Sequence, residues 1–259
     1  IRDRPIIPPT EDLVLEMIEA SSLGPMESLG TMPPVNGTVT VEKIAVNSVM
    51  AGCKPDYFPV VIASVKAVLQ PQFNVAAITT TTGGAAPVIV VSGPIADHLG
   101  IHSGTAVFGS GHQANATIGR AVRLSLVNIG GANPGIGDMS TQGAPSKYSY
   151  CIAENEEQNP WNSLSLDRGY STEQSTVTVI AAEPPHNIND HAGDSAKNIL
   201  TIISGAIAVT GANNAYTGGE TMLALGPEHA STIYQDGFNK NDIAIWLRDN
   251  AMIPLKRYT

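Results

Sequence analysis

The densest run of groups able to move protons is Glu183-Pro-Pro-His186-Asn187-Ile-Asn189-Asp190-His191. Imidazoles exchange protons near neutral pH, and a proline pair stiffens the loop that carries them. His186 and His191 are read as general bases or, with a carboxylate, as metal ligands. No His-Glu-x-x-His or Cys-x-x-Cys spacing is present to support zinc. Asp190 or Asp194 equally suits a cap on the helix that follows. A second cluster, Gly226-Pro-Glu228-His229, offers a carboxylate and an imidazole as acid and orienter, although Glu228 also suits the first turn of a helix.

Cys53, followed by Lys54, is predicted to lie in an elbow between two helices. A helix N-terminus and an adjacent ammonium both favour the thiolate, so Cys53 is a candidate nucleophile; the alternative is a small buried hydrophobe. Cys151 lies in an expected core strand. The acidic run after it, Glu154-Asn-Glu156-Glu157, stands at a strand end, where α/β sites commonly form. Glu154 and Glu156 are therefore candidates for proton transfer, or else part of a solvated strand end. Thr79-Thr-Thr81-Thr82-Gly83-Gly84 reads as a hydroxyl-lined substrate loop or a turn. Asn213 and Asn214, in a Gly-rich stretch, have the makings of an amide-recognition site. Gly109-Ser-Gly111-His-Gln-Ala114 formally matches a phosphate-binding pattern but lacks the acidic residue expected about twenty positions on. Asn115, at the start of the helix behind it, is taken as a further substrate contact, with Asn187 in the imidazole loop.

The elements that must position these groups follow from capping and periodicity. Residues 1–39 read as an arm and linker. In it Thr10 caps a helix striped with Leu13, Val14, Met17 and Ile18, and Met32-Pro33-Pro34 is extended. A first α/β half is expected over 40–146. Its helix runs from Thr40 to Gly52, the next ends near Leu69, and strands fall at Asn74–Thr79, Val88–Ser92 and Thr105–Phe108. Short and long helices are expected at Pro94–Leu99 and Asn115–Ile129. A second half is expected over 147–259, with strands at Tyr148–Ala153, Thr176–Ala181 and Met222–Leu225. Its helices are expected at Asp194–Thr210, after Pro227, and at Asp242–Asn250. The echo between Val88–Pro94 and Met222–Pro227 suggests two similar halves around a cleft; chance resemblance of Gly-rich loops is the alternative. The fold class is α/β, with mixed or mostly parallel sheets and packed helices.

Over 259 residues, 42% are hydrophobic and 14% charged, a balance that argues against disorder. The net charge of −9 argues against nucleic acid or an anionic membrane as partner. Two cysteines make no disulfide framework, which points to a reducing, cytoplasmic setting. The longest apolar run, Ile199–Val209, is too short to span a bilayer. The chain begins with Ile1 rather than Met, so its true start is expected to have been removed or to lie upstream.

The stretch Asn47-Ser-Val-Met-Ala-Gly-Cys53-Lys-Pro-Asp-Tyr-Phe-Pro-Val-Val resembles a bacterial group, the UGSC-type (seleno)protein family. The likeness continues through Asn115–Ala121, Cys151–Glu157, Pro185–His191 and Leu225–Ala230. It covers nearly the whole chain from about Pro5 and brings no settled activity. The motif for which the family is named, a selenocysteine or cysteine followed by Gly-Ser-Cys, is absent. The resemblance thus implies the C-terminal part of a longer protein, with the redox motif on a preceding segment or a partner subunit.

Together these features predict an enzyme, or the larger part of one, acting on a small polar metabolite in a cleft shared by the thiol, the acidic strand end and the imidazole loop. Cys53 would supply thiol-dependent redox or lyase chemistry, with Glu154, Glu156, His186 and His191 transferring protons. Thr81, Thr82, Gly83, Asn115, Asn187, Asn213, Asn214, Glu228 and His229 would hold the substrate. The first rival is a metal-assisted hydrolase or lyase using the same His and Glu groups. The second is a structural subunit of an obligate hetero-oligomer whose partner carries the redox motif, its arm wrapping a neighbour; a homo- or hetero-oligomer is expected in either case. No cofactor is specified by any motif.

Overall fold

A computed structural model describes residues 5–254. Helices α1 (Glu11–Glu19), α2 (Val41–Ala51), α3 (Phe58–Val68), α4 (Val75–Thr80), α5 (Pro94–Leu99) and α6 (Gln113–Asn128) occupy the first half of the chain. Strands β1 (Ser28–Met32), β2 (Gly37–Thr40) and β3 (Ala86–Ser92) interleave with them. Then come β4 (Cys151–Ala153), α7 (Leu164–Asp167), β5 (Thr176–Ala182), α8 (Ala196–Ile207), α9 (Asn214–Thr217), α10 (Pro227–Gln235) and α11 (Lys240–Asn250). The fold is α/β, with a mixed three-stranded sheet ordered β4-β3-β5; β3 runs parallel to β4 and antiparallel to β5.

The chain forms two compact units. One runs through Asn155 and resumes over Leu164–Pro184; the other takes Glu156–Ser163 and the chain from Pro185. This replaces the expected boundary at 146/147. The reason is sheet pairing: β5 bonds β3 along its whole length, from Ala86 with Ala182 to Ser92 with Thr176, so it belongs to the first unit.

In the larger unit β3 is buried at almost every position, as its continuous Val/Ile run demands. Helix α6 packs against α2, α3 and β4. Gly119 allows the last contact, because a Cβ there would lie 2.6 Å from the Tyr150 nitrogen. Thr40 caps α2 by accepting from the Lys43 N–H, and Gly52, with φ 90°, closes it.

Residues before 40 are no free arm. Val14, Met17 and Ile18 are buried, α1 packs on α2, and β1 and β2 form an antiparallel hairpin. Its turn begins with a cis Pro33-Pro34 bond and ends at Asn36-Gly37, where Asn36 adopts a positive φ. The hairpin docks on the end of α6, where Val35 N–H donates to the Gly130 carbonyl at 3.0 Å. Two strands expected in the first half are absent. Residues 75–80 are helical because Asn74, at φ 52°, caps them by accepting from Ala77 N–H. Residues 105–108 form turns, with Ala106 at φ 62°.

The smaller unit holds no strand among its described residues, so the two halves are not similar. Met222–Leu225 is irregular chain, and Leu223 and Leu225 lie against a helical core of Ile199, Leu200, Ile203, Ile233 and Ile243. Helix α8, capped by Ser195 rather than Asp194, is its centre; α10 and α11 pack against it. Among the described residues no single helix is long and apolar enough to cross a membrane.

Candidate functional site

The predicted site residues fall into separate groups in the two units. In the larger unit, Cys53 follows the C-terminal end of α2, and its N–H donates to the Ser48 carbonyl at 3.0 Å. The negative end of a helix dipole thus lies behind it, and the next helical turn starts only at Pro55. Burial pushes the Cys53 thiol up to about 12, against the weaker opposing pull of the Thr117 hydroxyl and the Arg120 charge. Cys151 is buried in β4 and raised as well, by burial first and then by the nearby Cys53. Both are free thiols, protonated at neutral pH, and Cys53 packs against the apolar core. The expectation of a thiolate elbow is corrected here: desolvation outweighs the neighbouring charges.

Glu154 stands at the C-terminal end of β4. Its Oε2 accepts from the Ser92 hydroxyl at 3.0 Å, and both carboxylate oxygens accept from the Leu164 N–H at 3.0 and 2.9 Å. It therefore fastens the sheet edge to the start of α7. Glu156, two residues on, belongs to the other unit and is exposed.

The threonine loop turns much of its polarity inward. Thr79 and Thr80 hydroxyls donate to carbonyls of α4, and Thr81 Oγ1 accepts from the Gly83 N–H. Thr82 is exposed, and its carbonyl accepts from Thr141 N–H. Asn115 is no substrate contact. Its amide oxygen accepts from His102 N–H at 2.8 Å and its amide nitrogen donates to the His102 carbonyl at 3.0 Å, which uses both ends of the side chain. In the smaller unit Asn214 donates to the Glu220 carbonyl at 3.1 Å, an exposed turn contact, and Asn213 is exposed beside it.

The arrangement with chemical capacity lies in the smaller unit, around a residue read from the sequence as a cap. Asp190 Oδ1 accepts from the N–H groups of Ala192 and Gly193, at 3.0 and 2.8 Å. Its Oδ2 is buried with no hydrogen-bond partner and lies 4.0 Å from Nε2 of His229, in the first turn of α10. The Asp190 side chain is 5% exposed and that of His229 34%. Asp190 is held below the usual carboxylate range, chiefly by the Ala192 and Gly193 N–H groups, with His229 and His191 adding to the effect against a smaller cost of burial. Gly193 is needed for this turn, since a Cβ would strike Asp190 Oδ2 and come within 2.7 Å of Ile199.

His229 is thus paired with a carboxylate, but with Asp190 rather than the expected Glu228, which is exposed. His191 is exposed beside Asp190, close enough for its charge to act on the carboxylate. His186 and Asn187 are exposed on the same loop, and the Asn187 amide makes no hydrogen bond among the described residues. The signal for Asp190 was present in Asp190-His-Ala-Gly193, an aspartate whose oxygen can accept from N–H groups two and three residues on.

Among the described residues no three His, Cys, Asp or Glu side chains are grouped to hold a metal ion. Comparison with protein-family models, curated protein sequences and solved structures finds no match to this chain.

Proposed function

We propose that this protein is an enzyme acting on a small polar metabolite by proton transfer, in lyase-type chemistry, with His229 as general base and Asp190 as its orienting carboxylate. The observation that carries this reading is the buried, ionised Asp190 oxygen left without a hydrogen bond and facing His229 Nε2. A carboxylate so placed favours the Nε2–H tautomer and leaves Nδ1 to accept a proton from substrate. The imidazolium formed is stabilised by Asp190, and the same nitrogen returns the proton later in the cycle. The 4.0 Å separation shortens to a hydrogen bond when substrate excludes water, a common change on leaving the unliganded state. His191 adds positive charge when protonated, and Asn187 supplies an unengaged amide to a polar substrate.

Thiol-dependent chemistry loses its support in this reading, because Cys53 lacks the thiolate it needs. Two reduced cysteines accord with a cytoplasmic setting.

The test is to incubate the purified protein with a mixture of small polar metabolites and follow depletion by mass spectrometry. His229→Ala is expected to lower turnover by about 10²–10⁴-fold and Asp190→Asn by at least about tenfold, both with an unchanged circular dichroism spectrum. Cys53→Ser keeps the parent rate. No depletion by the parent protein, or undiminished turnover in His229→Ala, overturns the proposal.

A further inference from the structure

The two edges of the β4-β3-β5 sheet are finished differently. β4 is only three residues long, and on its outer side the Ala153 N–H already donates to the His102 carbonyl at 3.1 Å. β5 is seven residues long and forms the other edge over its whole length.

The ladder fixes which β5 backbone groups face outward. Ile89 N–H donates to the Tyr150 carbonyl, and the Val91 carbonyl accepts from Glu154 N–H, so residues 89 and 91 turn their backbone groups towards β4. Backbone direction alternates along a strand, so Val88, Val90 and Ser92 bond β5 through their partners Ile180, Thr178 and Thr176. Val177, Val179 and Ala181 therefore point their N–H and C=O groups away from the sheet. Among the described residues these groups have no hydrogen-bond partner.

A row of unpaired backbone groups is a template for another strand, and edges are commonly guarded by charge, proline or a bulge. β5 has none of these. Its sequence is Thr-Val-Thr-Val-Ile-Ala-Ala, and its register with β3 runs unbroken from Ala182 to Thr176. Arg168 does not block the edge, because its guanidinium donates to the Thr178 hydroxyl, which stands over one face of the sheet.

We propose that β5 pairs with β5 of a second copy of this chain, antiparallel and two-fold symmetric about Val179. In that register Val179 faces its own copy and Val177 faces Ala181, so every outward N–H on both chains meets a carbonyl. The strand is thus its own complement, as a two-fold interface requires. Charge selects the direction. Glu183 follows the strand, and antiparallel pairing about Val179 sets it beside the copy's Ser175. Parallel pairing in register would place the two Glu183 carboxylates side by side, which is unfavourable. The product is one continuous sheet ordered β4-β3-β5-β5-β3-β4.

Sedimentation equilibrium of the full chain, from about 1 to about 200 µM in about 0.15 M salt to screen the net charge of −9, is expected to show a monomer–dimer curve. Hydrogen exchange read by fragmentation mass spectrometry across the same range locates the contact. The Val177, Val179 and Ala181 amides should exchange freely in the dilute monomer and slow at least about tenfold in the dimer, while Thr178 and Ile180 stay protected in both. Ala181→Pro removes an outward N–H, and Ile180→Lys places a charge at the seam from a position outside the apolar core. Each is expected to weaken dimerisation at least about tenfold with an unchanged circular dichroism spectrum. A chain that stays monomeric throughout overturns the proposal and leaves the edge to a strand of a different protein. So does a dimer whose outward amides exchange as in the monomer, or one that both variants leave at parent strength. Should either substitution unfold the chain, the exchange pattern of the parent protein decides alone. Neither readout depends on Asp190 or His229, so the two proposals fail separately.

Discussion

Individual side chains in this protein take their chemistry from desolvation as much as from residue type. Cys53 shows the effect most directly. A lysine next in sequence suggests an activated thiol, yet burial against the apolar core carries the group to about 12. The thiol is then protonated at pH 7. Cys53 is therefore expected to resist Ellman's reagent at pH 7–8 until the chain is unfolded in guanidinium, when both cysteines should react; rapid modification of the native protein would contradict the assignment. Asp138 is the opposite case. Burial would raise its pKa, but the Lys147 ammonium, the Ser140 hydroxyl and N–H and the Arg123 guanidinium together lower it to about 2. Its side chain is 4% exposed, 2.8 Å from Lys147 Nζ and 2.6 Å from Arg123. A carboxyl lowered in the folded state stabilises the protein above the unfolded pKa and loses that contribution as pH falls through the folded value. The contribution is about 2 kcal/mol, present above pH ~4 and lost towards pH 2. Asp138→Asn should cost about 3–5 kcal/mol in denaturant melts at pH 7, since it leaves two cations facing no carboxylate, and should remove this component of the acid transition.

Elements were legible where their signals are local. Thr40 and Gly52 bound α2, Pro94 starts α5 and Gly100 closes it, and Pro227 opens α10. Each rests on hydrogen bonds or dihedral limits within four residues, which a sequence window contains. Asn74–Thr79 failed because its apolar run fits a short helix as well as a strand, and the Asn74 cap decides between them. The β1–β2 hairpin had a readable turn in Asn36-Gly37, masked by the two prolines before it. How closely elements approach was not legible. Gly119 is one such point, where α6 lies directly on the backbone of β4. Gly119→Ala is expected to destabilise by about 1–3 kcal/mol through overpacking, measured as a shift of the urea midpoint with an unchanged slope.

At the scale of the molecule, two units each enclose their own core, and the chain passes between them three times. Leu200 is wholly buried in the helical unit. Leu200→Ala should cost that unit about 2–5 kcal/mol, and hydrogen exchange should report it in α8, α10 and α11 while β3 amides keep their protection. Equal loss of protection in β3 would show that the units unfold as one. The candidate proton-transfer pair belongs to the smaller unit, which holds no strand among its described residues. Sheet ends drew attention to Glu154, whose carboxylate instead receives the Leu164 N–H at the start of α7.

The amino-acid sequence by itself determined the α/β class, most helix boundaries, the buried central strand and the loops where acid–base groups collect. These follow from periodicity and capping, which act over a few residues. Only the tertiary structure decided which strands pair, where the chain divides, that Cys53 keeps its proton and that Asp190 faces His229. Desolvation and Coulomb energy depend on neighbours brought in from distant parts of the chain, and no short window of sequence contains them.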